Sequence, residues 1–301
     1  MFDVVIVGGG PAGLNAALVL GRCRRRVLLC DAGRPRNARA RELHGFLTRD
    51  GAPPLDLLRL GREELRPYGV ETRAVTVTGI ERRADGFAIS LADGNDVTAR
   101  MVLVASGVQD DLPDVPGMEE CYGTSVHHCP YCDGWEARDK RIAVIGPGNG
   151  GAGFALSLKT WSDQVMLCSN GPSRLKPEQR TQLAQQAIEI HESRITALDH
   201  EDGHVRHLVM TDTARIPCDK VFLVTHQRPQ CQLPKQLGCP VTPRGLVKTD
   251  RFGHTGVPGL YVVGDASRDV QFAIVAAAEG AKAAVAINQA LQKSAGLAAK
   301  S

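Results

Sequence analysis

The chain opens on Phe2-Asp3-Val4-Val5-Ile6-Val7, where apolar residues run on consecutively instead of alternating with polar ones. A run of this kind predicts a strand buried on both faces, as in a parallel sheet with helices on each side. Glycine-rich Gly8 to Gly13 follows, then an Ala/Leu-rich stretch of helical character, then a second apolar run, Val27-Leu28-Leu29-Cys30. The same order returns at a fixed offset of 138 positions, from Gly8 to Gly146: Val144-Ile145-Gly146-Pro147-Gly148-Asn149-Gly150-Gly151 leads to Val165-Met166-Leu167-Cys168. An internal repeat of strand, glycine turn, helix and strand predicts two βαβ units.

Between and after the repeats, Gly86 to Gly94 alternates with period two and ends in Asp93-Gly94, which predicts a small antiparallel excursion. Met101 to Gly107 reads as another buried strand, and proline-rich Leu112 to Gly117 as a crossover. A hairpin around Asp202-Gly203, a strand at Lys220 to Val224 and a Pro/Gly-rich connection at Pro240 to Gly245 come next. Gly259 to Asp265 then forms a last strand, followed by an Ala-rich helix from Phe272 to Gln289 and a tail from Lys293 to Ser301 expected to fray. The last strand and helix need a sheet to join, so the chain is expected to return to its first domain. The predicted class is α/β, with two Rossmann-like domains, doubly wound and three-layered, the second inserted in the first. The boundaries fall at 1–114 with 244–301, and at 117–241.

Composition narrows the function. Lys and Arg number 36 against 33 Asp and Glu, a net charge of +3 too balanced for a nucleic-acid scaffold. The longest apolar stretch, Ala273 to Ile287, is broken by Glu279 and Lys282, so no membrane span is expected. The first strand begins without a basic leader, which points to the cytoplasm. Nine cysteines cannot all pair, and seven of them lack framework spacing, so they read as reduced thiols. Eight arginines from Arg22 to Arg41 form either a solvated face or a surface for phosphate contact or for docking an acidic electron-donor protein.

Both repeats carry G-x-G-x-x-G: Gly8, Gly10 and Gly13, then Gly146, Gly148 and Gly151. The first glycine permits the tight turn and the second lets a pyrophosphate approach the backbone. The third lets helix and strand pack closely, and the phosphate rests on the helix N-terminus. The first copy ends its second strand on Asp31, an acceptor for ribose hydroxyls, whereas the second copy has Ser169 there. Pro147 also removes one N–H from the second turn. The second copy is therefore a second nucleotide site or a unit kept for packing alone.

Cys129-Pro130-Tyr131-Cys132-Asp133-Gly134 lies just before the second turn. In a chain without a secretory leader, C-x-x-C beside a βαβ unit reads as a redox pair. Asp133 is placed to exchange a proton with a thiol. Zinc competes as a reading because His127 and His128 precede the pair, but no second ligand pair accompanies them, and no metal is assigned.

Taken in order, these features resemble the low-molecular-weight thioredoxin reductase family over essentially the whole chain. The matches are Gly8-Gly9-Gly10-Pro11-Ala12-Gly13, the strand end Ala105-Ser106-Gly107, C-x-x-C-D-G at Cys129 to Gly134, the second fingerprint, and Gly264-Asp265. The resemblance implies FAD, a homodimer, and a thioredoxin-like protein or a small dithiol or disulfide as substrate. By it, Asp31 holds the adenosine ribose, Asp265 the ribityl chain, and Phe272 and Ala273 lie beside the flavin ring. Cys132 faces the flavin, Cys129 exchanges with the external partner, and Asp133 is the acid/base. Members that use NADPH carry arginines for its 2′-phosphate; here Ser169-Asn170-Gly171 stands in their place, with Arg174 as the nearby cation. His44 to Gly51, with Pro130-Tyr131 and Trp135-Glu136, is more similar to the branch of flavin-dependent dithiol oxidases that use oxygen. A flavin- or redox-dependent binding protein without catalysis is the alternative of another class.

Overall fold

The computed structural model describes residues 1–268 and 270–297. The end of the tail, 298–301, lies outside the described residues, while Lys293 and Ser294 close the last helix, Ala273–Ser294. The chain divides into two compact units. The first comprises Met1–Ala38, Gly45–Gln109 and the chain from Gln227 onward; the second comprises Arg39–His44 and Asp110–His226. Pro/Gly punctuation alone puts the return to the first domain at 241/244. Packing puts it earlier, because Leu233 and Cys239 are buried in one cluster with Val5, Leu28 and Val102 of the first unit.

The first unit is built on a parallel sheet in the order Glu71–Arg73, Val27–Cys30, Phe2–Val7, Val97–Val104. The consecutive apolar run of the first strand is explained by its two faces. Val4 and Ile6 enter one core with the helices Pro11–Arg22, Pro54–Leu65 and Ala273–Ser294, whereas Val5 and Val7 enter the core on the other side. The far edge of Val97–Val104 is shared. Its first half pairs with the antiparallel ribbon Val77–Arg83 and Gly86–Leu91, and its second half with Leu260–Val262, parallel. Helices Pro11–Arg22 and Ala273–Ser294 meet so closely that a Cβ on Gly280 would lie 2.0 Å from the Ala12 carbonyl oxygen.

The second unit has a five-stranded parallel sheet, in the order Glu189–His191, Val165–Cys168, Ile142–Ile145, Lys220–Leu223, Val126–His127. A three-stranded antiparallel sheet accompanies it, with Ile195–Glu201 and His204–Met210 joined through Asp202 and Gly203, both at positive φ. That conformation is the one a two-residue hairpin turn requires. The expected class is observed: α/β with two Rossmann-like units. Among the described residues no helix is long and apolar enough to cross a membrane.

Candidate active site

The two glycine turns are built by the same device. A Cβ on Gly13 would lie 1.9 Å from the Gly8 carbonyl oxygen, and one on Gly151 would lie 2.0 Å from that of Gly146. The third glycine of each fingerprint thus lets its helix sit directly on the turn. The middle glycines face open space, with nothing near a Cβ on Gly10 or Gly148.

In the first unit, helix Pro11–Arg22 starts with Pro11 and Ala12 and carries no acidic residue in its first turn and no side-chain cap. Its positive end is left for an external anion. Asp31 stands at the end of Val27–Cys30, accepting from the Gly33 amide at 3.1 Å and from Arg62 at 2.6 Å. Ala105 is buried at the end of Val97–Val104, and Gly107 turns the chain at φ +69°. Gly264 and Asp265 form a short 3-10 turn, where Asp265 accepts from Arg36 at 3.0 Å and Arg36 also reaches Gln271 at 2.7 Å. Phe272 caps the helix that Ala273 begins, and a Cβ on Gly45 would lie 3.4 Å from its ring. Arg36 and Arg62 are the residues that sequence reasoning missed here. Arg36 lay within the arginine run, while Arg62 had no local signal.

The second turn spends a donor within its own chain. The Gly148 amide donates to the Ser173 carbonyl at 2.7 Å, and Pro147 has no amide hydrogen to offer. Ser169 turns its hydroxyl onto the Gly171 carbonyl at 2.6 Å. Glu192 accepts from the Ser173 amide at 2.9 Å and from Arg180 at 2.8 Å. The Ser173 hydrogen bonds, followed by Arg180, pull the Glu192 carboxyl down to about 2. A cation and an amide beside the end of Val165–Cys168 are thereby spent on an internal carboxylate.

Cys129 and Cys132 form a disulfide, with Cα atoms 5.3 Å apart. The one-turn helix Pro130–Asp133 explains the spacing. Pro130 presets the first φ, residues three apart share a face, and Gly134 closes the turn where a Cβ would lie 2.3 Å from the Pro130 carbonyl oxygen. Tyr131 and Trp135 flank it, both exposed, with Arg138 stacked over the Trp135 ring. The other seven cysteines are free; burial pushes the Cys168 and Cys218 thiols up to about 12 and Cys30 to about 11, which makes them inert.

Asp133 faces His127, with Nδ1 3.0 Å from Oδ1. Burial pushes the Asp133 carboxyl up. The hydrogen bond from His127 and the attraction of the surrounding basic side chains, Lys220 among them, outweigh it, so the group lies below the usual carboxylate range. His127 Nε2 lies 3.1 Å from Lys220 Nζ, and His128 Nδ1 lies 2.8 Å from the Tyr122 hydroxyl. The two histidines weighed as zinc ligands are each engaged within the protein. Lys220, at the start of Lys220–Leu223, was read from sequence only as the first residue of a strand.

Two dinucleotide-type units, with a Cys-x-x-Cys disulfide beside a carboxylate on the second, are the parts of a disulfide oxidoreductase. Residues 2–280 match the pyridine nucleotide-disulphide oxidoreductase family. The chain belongs to that family, in its thioredoxin reductase-like branch. It is 32% identical to the "probable thioredoxin reductase" of Arthroderma benhamiae, over 89% of this chain and 74% of that protein. The TrxB structure of Bacillus anthracis superposes with a TM-score of 0.93 at 33% identity, covering 98% of this chain and all of that one. The structure of HlmI gives a TM-score of 0.93 at 38% identity, covering 97% of this chain and 93% of that one. The protein is therefore an enzyme, a flavoprotein with FAD as cofactor, and a thiol-disulfide oxidoreductase. This overturns the reading of a non-catalytic binding protein. The first unit fits the cofactor: the uncapped helix end and the open space at Gly10 suit a pyrophosphate, and Asp31 retains acceptor capacity for a ribose.

Proposed function

We propose that two electrons pass between FAD and an external dithiol or disulfide by way of Cys129 and Cys132, and that NADPH is a poor donor. FAD, when bound, supplies the two-electron acceptor and donor. Residues Gly8, Gly10, Pro11, Ala12 and Gly13 hold its pyrophosphate, Asp31 its ribose and Asp265 its ribityl chain, with Ala105, Gly107, Phe272 and Ala273 along the rest. In the dithiol direction Asp133 takes a proton from the external thiol, the thiolate attacks Cys129 Sγ, and the S–S bond breaks with its electron pair leaving on Cys132. The Cys132 thiolate then takes the proton of the second external thiol, whose sulfur attacks the external sulfur of the mixed disulfide, closing the product disulfide and releasing Cys129 as thiolate.

The observation that carries this reading is that donors of the second turn are spent within the chain, with Gly148, Ser173, Arg180 and Glu192 satisfied among themselves, in the unit that carries the Cys129–Cys132 disulfide. The same observation favours, as a second reading, a dithiol oxidase with oxygen as final acceptor. A thioredoxin-like protein or a small dithiol fits the exposed ring pair Tyr131 and Trp135. A cytoplasmic homodimer belongs to the same reading, in keeping with seven free thiols.

Anaerobic titration of the yellow protein tests it. A small dithiol should bleach the flavin absorption within the mixing time, and NADPH and NADH should do so at least about 100-fold more slowly, since two or more charge-assisted phosphate contacts are lacking. Rapid bleaching by NADPH would overturn the donor assignment. Return of colour in air after dithiol bleaching would select the oxidase.

A further inference from the structure

A buried polar cluster of the second unit reaches the carboxylate that follows the disulfide. Lys220 is nearly buried, and its Nζ lies 2.8 Å from the Thr124 carbonyl, which can only accept, and 3.1 Å from His127 Nε2, whose role follows from the tautomer. An ammonium donates to both. His127 Nε2 must then present its lone pair, so the ring hydrogen sits on Nδ1, the nitrogen 3.0 Å from Asp133. His127 is buried as well, and Phe222 packs against its ring, which leaves the imidazole in place between its two partners. Each link fixes the next: carbonyl, ammonium, imidazole tautomer, carboxylate.

We propose that Lys220, acting through His127, is a positioning residue that keeps Asp133 a carboxylate, aimed and ready to accept a proton beside the redox disulfide. The inference rests on the acid/base role given to Asp133 above. Lys220 touches neither sulfur nor substrate. Its charge reaches Asp133 through the imidazole, and its neighbours explain how the charge survives burial. It borders an open cleft with Lys140, His204, Val205, Arg206 and Asp219, and Asp133 and Glu136 favour its protonated form. Burial itself, with Lys140 and Arg41, acts the other way and draws the Lys220 amine below its ordinary value. On the side of Asp133 the facing groups are His127, His128 and Lys220, all basic. Removal of the ammonium leaves burial less opposed, so the carboxyl titrates at a higher pH. Since the base must be ionised to take a thiol proton, the acid limb of the exchange then moves to higher pH, while the plateau above it is unchanged.

The test uses the FAD-loaded protein. Carboxyl carbon shifts of labelled aspartate, assigned by loss of one signal in Asp133→Asn, give the Asp133 titration directly. In parallel, reduction of the disulfide by dithiothreitol is followed against pH. Lys220→Met should move the Asp133 titration upward and slow reduction at least about twofold on the acid flank, with near wild-type rates on the plateau. Lys220→Arg, which keeps the charge in the pocket, should leave the titration close to wild type. An unmoved Asp133 titration in Lys220→Met, or an equal shift in Lys220→Arg, overturns the inference. Should Lys220→Met not fold, Lys220→Gln, which keeps a polar head against Thr124 and His127 without the charge, decides in its place, with the same upward shift expected and an unmoved titration overturning the inference. Failure of the underlying reading looks different: Asp133→Asn would then reduce its disulfide with wild-type rate and pH profile.

Discussion

Replacing Cys132 with serine should lower dithiol-dependent bleaching of the flavin at least about a thousandfold, as loss of a covalent catalytic group does elsewhere. The reaction proposed for this protein needs an S–S bond that can receive an electron pair, and Cys129–Cys132 is that bond. A serine leaves Cys129 as a lone thiol, which can be deprotonated but cannot accept electrons from another thiol. FAD content should be unaffected, because the residues assigned to the cofactor belong to the first unit and Cys132 to the second. The other thiols cannot substitute. Cys168 and Cys218 are buried with thiols pushed up to about 12, and Cys23, though exposed, is free. Cys23→Ser should accordingly bleach at the wild-type rate. Stopped-flow absorbance under anaerobic conditions reads both variants, and wild-type bleaching in Cys132→Ser would remove the disulfide from the electron path.

What the sequence made legible follows a physical pattern. The two βαβ units, the antiparallel ribbon and the Asp202-Gly203 hairpin are local, since each depends on hydrophobic period and turn chemistry within about 30 residues. The disulfide was legible for the same reason, its two cysteines being three positions apart. Contacts across long separations were not. Arg62 on Asp31 and Lys220 on His127 join residues that only the fold brings together, and neither carries a spacing signal. Lys220 shows why. At the head of a buried strand a lysine reads as a snorkelling edge residue, yet the parallel register of Val126–His127 with Lys220–Leu223 sets its amine against an imidazole. The second fingerprint is the converse case. Its motif is intact in sequence, and the hydrogen bond from the Gly148 amide to Ser173, which spends a donor of the turn, depends on a loop conformation that the motif does not encode.

That contrast leads to the second large effect, a set of three glycine substitutions that separates packing from binding. Gly13→Ala places a methyl within van der Waals overlap of the Gly8 carbonyl oxygen, a backbone atom that cannot swing aside. Helix Pro11–Arg22 must move off its strand, at a cost of about 1–3 kcal/mol. The displaced turn should also lose FAD, so the protein is expected to purify colourless and to melt several degrees lower. Gly151→Ala makes the equivalent overlap with Gly146 in the second unit. It should destabilise by a similar amount while the protein stays yellow, because that turn serves packing in the function proposed here. Gly10→Ala meets no atom of the protein, so its stability should change by less than about 0.5 kcal/mol. Its methyl instead enters the space assigned to the pyrophosphate, and FAD affinity by titration calorimetry should fall about tenfold or more, about 1.4 kcal/mol or above. Two unstable variants that differ in colour, and one stable variant with weakened FAD, form a pattern that general destabilisation does not produce. Loss of FAD in Gly151→Ala, or undiminished affinity in Gly10→Ala, would reassign which of the two turns carries the cofactor.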